Sequence, residues 1–265
     1  MSEVRDYRRS LERSRNALRT IDRPRTFTLH HREWDMLPGV FSPVCSPTTG
    51  VVMELLGLAE PSPVPRTGSF LEIGAGAGLI AVSCALAGCD RVVATDINAE
   101  AVRNTALNAE RHGVADRVST RYSDLFAALD PGERFDMIFW SSNYVLAPAD
   151  YEYQSVHERA YVDAGYATHR RFLAEASHWL TPGGSVVLHF SSRGDLARLL
   201  RMAGEHDLGL RTLRTVTNIE GGCEVEHMLV EVTRQQALPH AALPATTLPA
   251  APALPAAARA VLPVA

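Results

Sequence analysis

Lysine is absent from this 265-residue chain, and all 26 basic residues are arginine. A phosphate-binding P-loop needs its lysine and Schiff-base chemistry needs a lysine amine, so both are excluded. Cysteine is sparse: Cys45, Cys84, Cys89 and Cys223 form no C-x-x-C pair. No histidine cluster has zinc-ligand spacing either, so no metal centre is expected. Cys84 sits in an apolar helical stretch and reads as a small core residue, and free thiols point to a reducing, cytoplasmic setting. No apolar run reaches the roughly 18 residues of a membrane span. The charged stretch Met1–Asp6 has no apolar segment behind it, so it does not read as a signal peptide. A strong positive balance is missing as well. Thirty acids leave a net charge of −4, which argues against a dedicated nucleic-acid binder. The 46% of hydrophobic residues is ordinary, and the length can bury a core without disulfides or metals.

Residues 3–22 carry Val4, Leu11, Leu18 and Ile21 at roughly helical spacing, which predicts an amphipathic helix with a solvated basic face or an oligomer contact. Nine of the arginines precede Asp35. An ordered lead-in and a short helix at 50–58 follow. From Ser69 the pattern alternates. Strands are predicted at 70–73, 91–96, 118–122, 135–140, 185–190, 211–217 and 226–233, and helices at 79–86, 98–112, 157–180 and 194–206. Thr181-Pro182-Gly183-Gly184 reads as a turn. This alternation calls for an α/β fold, a doubly wound, seven-stranded, mostly parallel sheet with helices on both faces. The expected organisation is a lead-in at 1–49, a catalytic domain at 50–234, and a disordered Ala/Pro-rich tail at 235–265. The last 29 residues hold 12 alanines and 6 prolines, a composition that blocks helices and buries too little to offset chain ordering.

The motif richest in chemistry is Glu72-Ile73-Gly74-Ala75-Gly76-Ala77-Gly78, between a predicted strand and helix. Alternate glycines permit a sharp turn and a close approach to a ligand. The generic dinucleotide fingerprint is G-x-G-x-x-G, whereas the spacing here is G-x-G-x-G. Asp96 closes the next strand, where it suits a ribose diol. Polar points follow the next two strands, at Ser123-Asp124-Leu125-Phe126 and at Ser141-Ser142-Asn143-Tyr144.

With these landmarks, together with Phe135-Asp136-Met137-Ile138 and Thr181–Gly184, the stretch from about Phe41 to Glu231 resembles the class I S-adenosylmethionine-dependent methyltransferases. It is most similar to the small methyltransferase-domain group, which includes the release-factor glutamine and rRNA guanine-N2 enzymes. The resemblance implies a Rossmann-like methyltransferase fold and S-adenosylmethionine as cofactor. It places Glu72, Gly74, Gly76 and Gly78 around the methionine part and Asp96 on the ribose hydroxyls. Ile97 would lie against adenine, Asp124 would accept from the adenine amino group, and Leu125 would sit beside the ring. Phe41 would belong to a segment closing over the cofactor. Where that group carries Asn-Pro-Pro-Tyr, this chain has Ser142-Asn143-Tyr144-Val145.

Asn143 keeps a donor and an acceptor for a nitrogen nucleophile and also borders the cofactor. Tyr144 offers an aromatic face to a cation. His157 or Glu158 is a candidate base, with Tyr161 beside them in the segment after the fourth strand. With both prolines lost and no recruiting domain visible, the expected acceptor is a nitrogen of a small amine or amino-acid-like molecule, in specialised biosynthesis. Three alternatives stay open. One is use of the cofactor's aminocarboxypropyl arm, with release of methylthioadenosine. Another is RNA or protein N-methylation with the arginine run as a docking arm. The last is a non-catalytic cofactor-binding subunit.

Overall fold

The computed structural model describes residues 6–20, 25–60 and 66–234. The predicted Ala/Pro tail lies outside the described residues. Helix α1 (Tyr7–Arg19) starts at Asp6, whose carboxylate accepts from the Arg8 N–H. A hairpin of β1 (Thr26–Leu29) and β2 (Arg32–Asp35) and helix α2 (Thr48–Leu55) complete the lead-in. The alternating part runs β3 (Ser69–Ile73), α3 (Leu79–Leu86), β4 (Arg91–Asp96), α4 (Ala99–Arg111), β5 (Val118–Tyr122) and β6 (Phe135–Ser141). The two-residue strands β7 (Leu146–Ala147) and β8 (Asp163–Ala164) bracket a short 3-10 turn at Val156–Ala160. Then come α5 (Ala167–Glu175), β9 (Leu180–Ser191), α6 (Leu196–Gly204), β10 (Leu208–Glu220) and β11 (Cys223–Arg234).

Seven strands form one sheet in the order β10-β11-β9-β6-β3-β4-β5. The five from β9 to β5 pair in parallel, and β11 and β10 add antiparallel. Successive side chains on a strand face opposite sides, and two cores result. Leu71, Val93, Ile138 and Val186 join Leu11 of α1, Phe172 of α5 and Leu199 of α6. Their neighbours Phe70, Val92, Phe139 and Val187 join residues of α2, α3 and α4. This is the doubly wound sheet expected. Because both faces are covered, the central strands read as nearly continuous apolar runs. Among the described residues, no helix is long and apolar enough to cross a membrane.

The structure departs from the sequence-based expectation in three places. Helix α1 buries Ser10, Leu11, Ser14 and Ala17, while Leu18 is 44% exposed. Small and hydroxyl side chains therefore make its seam, and hydrogen bonds to buried partners replace part of the apolar contact. The predicted helix at 157–180 is broken by two residues of positive φ, Gly165 and Tyr166, so that a turn, β8 and α5 replace it. The Asp163 carboxylate accepts from Thr168 and His169 N–H at the start of α5. Thr181–Gly184 lies within β9 as a bulge: Phe135 pairs with Leu180 but Met137 with Ser185. Asp136 holds this bulge, accepting from the Thr181 hydroxyl at 2.6 Å and from the Ser69 N–H and hydroxyl at 2.7 and 2.8 Å.

Candidate functional site

The carboxyl ends of the parallel strands meet where the strand order reverses between β3 and β6, the usual place for a ligand in such sheets. After β3 the chain turns through Gly74, Gly76 and Gly78, all at positive φ. The turn is anchored by Gly74 and Ala75 N–H groups donating to the Thr95 carbonyl at 2.8 and 3.0 Å. A Cβ on Gly78 would meet the Thr105 side chain and backbone at 2.7–2.8 Å, so its glycine serves helix packing. Gly76 differs. Nothing lies within 4 Å of where its Cβ would project, leaving open space over the turn.

Glu72 is buried, and its carboxylate accepts from the Ala81 N–H at 2.8 Å. Burial pushes its carboxyl well above the usual carboxylate range. At the end of β4, Asp96 accepts from Gly76 N–H at 2.9 Å and from Asn98 N–H at 2.8 Å. Burial raises its pKa too, against those N–H donors. Two acceptors on one carboxylate leave lone pairs for a further ligand. Asp124 accepts from Arg171 at 2.9 Å, and Leu125 beside it has φ +52°.

The segment after β6 builds the other part of the site. Asn143 donates through Nδ2 to the carbonyls of Arg159 and Val162 at 2.8 and 2.9 Å. Its Oδ1 is buried and has no hydrogen-bond partner. The Tyr144 ring packs edge-on against His189 and Phe190, at 5.5 and 6.1 Å. His157 is buried; its Nδ1 lies 2.7 Å from the Ser14 hydroxyl, and its ring lies 5.2 Å from Tyr161. Phe41 contacts Tyr161 in turn at 5.1 Å.

One cavity gathers these groups. Phe41, Glu72, Gly74, Gly76, Asp96, Ile97, Asp124, Leu125, Asn143, Tyr144, His157 and Tyr161 all line it. Gly78 and Glu158 do not. Glu158 is buried, with one carboxylate oxygen accepting from the Tyr151 hydroxyl and the Gln154 N–H, so it organises the segment instead of facing an acceptor. Among the lining residues that sequence reasoning missed are Arg13, Arg193 and Trp140. Arg13 was hidden in a helix whose seam was assigned to Leu18. Arg193 and Trp140 carry no local pattern that marks a site. Among the described residues, no group of three histidine, cysteine, aspartate or glutamate side chains is placed to hold a metal ion.

Residues 35–143 match the model of the methyltransferase small domain. Over that stretch the chain is similar to that family. Its sequence relatives include the ribosomal protein uL3 glutamine methyltransferase of Burkholderia pseudomallei, 31% identical over 138 residues, 47% of this chain and 45% of that one. The release factor glutamine methyltransferase of Agrobacterium fabrum is 30% identical over 192 residues, covering 66% of this chain and 65% of that one. The ribosomal protein L11 methyltransferase of Geobacter sp. is 38% identical over 97 residues, covering 33% and 30%. The match spans less than two thirds of each relative's length. Among solved structures, a 16S rRNA methyltransferase of T. thermophilus, in complex with AdoMet and guanosine, superposes with a TM-score of 0.52 at 20% identity, covering 79% of this chain and 49% of that one. A tRNA methyltransferase of M. jannaschii superposes at 0.54 and 13% identity, covering 80% and 57%. Both show the Rossmann-like methyltransferase fold.

The relatives correct the expected partner. All three are named for proteins of translation as substrates, not for a small-molecule acceptor. The small-molecule expectation rested in part on the two missing prolines. The Arg159 and Val162 carbonyls fix Asn143 without them, so their loss is no sign of a different acceptor.

Proposed function

We propose that this chain is an S-adenosylmethionine-dependent N-methyltransferase acting on a planar, amide-like nitrogen of a macromolecule of the translation apparatus. The carrying observation is Asn143: both Nδ2 hydrogens are used within the protein, and the buried Oδ1 is left to accept at the wall of the cavity. A buried acceptor without a partner costs roughly 1–3 kcal/mol, and an N–H from an acceptor substrate would recover it.

The residues fit the cofactor. The space above Gly76 admits a close-lying chain, Asp96 retains acceptor capacity for a diol, and Ile97 and Leu125 offer apolar contact for a ring. When bound, S-adenosylmethionine supplies an electrophilic methyl group on a sulfonium sulfur. The chain's own part is to hold one N–H of the acceptor on Asn143 Oδ1, which turns the nitrogen lone pair toward the methyl and lets positioning lower the barrier. Tyr144, braced by His189 and Phe190, forms the adjoining wall, and Tyr161, between Phe41 and His157, helps exclude water. His157, hydrogen-bonded to Ser14, is the candidate proton acceptor. The glutamine named for two relatives and an exocyclic amine of a nucleobase both present such a nitrogen. A cytoplasmic setting suits these acceptors and the four free cysteines.

The test has two stages. Calorimetric titration with S-adenosylmethionine should show binding to the wild-type protein. Tritiated methyl groups should then pass to a component of a ribosome and release-factor fraction. Methylthioadenosine formed from the cofactor alone would overturn the reading, in favour of aminocarboxypropyl chemistry.

A further inference from the structure

Eight arginines beyond α1 pair with carboxylates among the described residues. Arg91, Arg111, Arg121, Arg170 and Arg171 each meet a carboxylate. Helix α1 differs. It carries five arginines against one acid, Glu12, and all five are exposed. Arg13, Arg15 and Arg19 make no ion pair with any described residue. The helix is fixed in place by its opposite seam. The Ser14 hydroxyl meets His157, and the Ser10 hydroxyl accepts from Arg193 at 3.3 Å. Arg193 is itself buried and paired with Glu220 at 3.2 Å. Arg13 and Arg193 both line the cavity that Asn143 lines, and each donates to the Ser10 hydroxyl.

The cavity is therefore electrically divided. Glu72, Asp96 and Asp124 sit where the cofactor is placed, and Arg13 and Arg193 stand together elsewhere on its wall. From there the charge continues onto the outer face of α1, which at 1.5 Å per residue extends about 20 Å. A row of guanidiniums of that length suits a ligand carrying an anion at every repeat. Beside it, Arg8 lies 5.4 Å over the Tyr7 ring, a pairing that also suits stacked bases.

We propose that the outer face of α1, which meets the cavity through Arg13, is a docking track for the phosphates of a single-stranded RNA segment. The track delivers a base with an exocyclic amine to Asn143. This rests on the methyltransferase reading above and names its acceptor class. It also revises the expectation that nucleic acid is an unlikely partner: the net charge is negative, but five of the 26 arginines share one thirteen-residue helix with a single acid.

The test uses the full chain saturated with S-adenosylmethionine and a fluorescein-labelled single-stranded RNA of about 12 nucleotides, read by anisotropy between about 50 and 200 mM salt. Binding should weaken steeply with salt. Arg13→Gln, Arg15→Gln and Arg19→Gln should each lower the slope of log K against log salt by about 0.7. Calorimetric cofactor affinity of the Arg15→Gln and Arg19→Gln variants, which do not line the cavity, should stay at the wild-type value, which also shows them to be folded. The docking track is overturned if RNA does not bind at the lowest salt, if the substitutions leave the slope unchanged, or if a labelled hexaglutamate peptide binds as tightly as the RNA. Failure of the wild-type protein to bind cofactor would instead sink the methyltransferase reading, a separate result.

Discussion

Asn143 uses its side-chain amide in two directions, and a substitution that reverses one of them separates holding from accepting. In Asn143→Asp a second oxygen replaces Nδ2 and faces the Arg159 and Val162 carbonyls, so the anchor is lost while an acceptor remains. We expect transfer to fall by at least about 100-fold in kcat, the scale of losing one well-placed polar group. Calorimetric cofactor affinity should change little. Asp96→Ala acts in the opposite sense. It removes the acceptor proposed for the cofactor and the brace on Gly76, and cofactor Kd should rise about 10- to 100-fold, matching one or two hydrogen bonds to a charged group. At this scale the sequence was legible where a residue's task is local. The glycines and Asp96 sit at strand ends and are recognisable from spacing alone. Glu158 and Arg13 were not legible, because their roles depend on what Tyr151, Gln154 and Arg193 present from elsewhere in the chain.

The elements that shape the site are locked to one another by side-chain amides. Asn104 accepts from Leu37 N–H and donates to the Asp35 carbonyl; Asn108 accepts from Asp35 N–H and donates to the Asp35 and Ala77 carbonyls. Helix α4 thus ties the β1–β2 hairpin to the glycine turn. Both asparagines are fully buried, and Asn108→Ala should cost about 2–4 kcal/mol by leaving several backbone groups unpaired, measured by urea denaturation. Gly78→Ala probes the same junction from the other side. Its Cβ would press into Thr105 at φ +83°, and a loss of about 2–3 kcal/mol is expected in the same assay. The central strands β3, β4 and β6 were recoverable from apolar runs because each is short, largely buried and bounded by turn residues. The segment 156–180 was not. Its composition is helical, and only the positive φ at Gly165 and Tyr166, with Asp163 capping the following helix, shows where it breaks. The α1 seam escaped because serine signals a surface, while here Ser10 and Ser14 are buried by their partners Arg193 and His157.

Across the whole molecule a buried polar chain links the acceptor loop to α1. The Ser141 hydroxyl meets His189 at 3.4 Å, His189 meets His227 at 3.1 Å, and His227 meets Glu220 at 2.9 Å. Glu220 passes to Arg193, and Arg193 to Ser10. Burial, with His227 adding to it, pulls the His189 pKa from 6.5 down to about 3. The folded state keeps His189 neutral while the unfolded chain takes up a proton below about pH 6.5. Its contribution to stability is therefore complete above pH 6.5 and is lost as pH falls toward 3. Thermal midpoints should decline across that window. His189→Gln should start lower and decline less, and a parallel decline would refute the assignment.

The sheet has two open margins, the five-residue β5 and the thirteen-residue β10. The longer one exposes Leu213 and Ile219 along a row of backbone groups with no strand partner among the described residues, an invitation to stack another chain against it. Many proteins answer with lysine, which this chain lacks. Here the answer falls to Arg211, whose side chain is 67% exposed, and to the register shift at Thr212/Arg214 that bends the margin out of line. The molecule's colloidal behaviour thus hangs on a guanidinium and a bulge: Arg211→Val should convert that margin into a seed for fibrils, visible as a rise in light scattering on concentration.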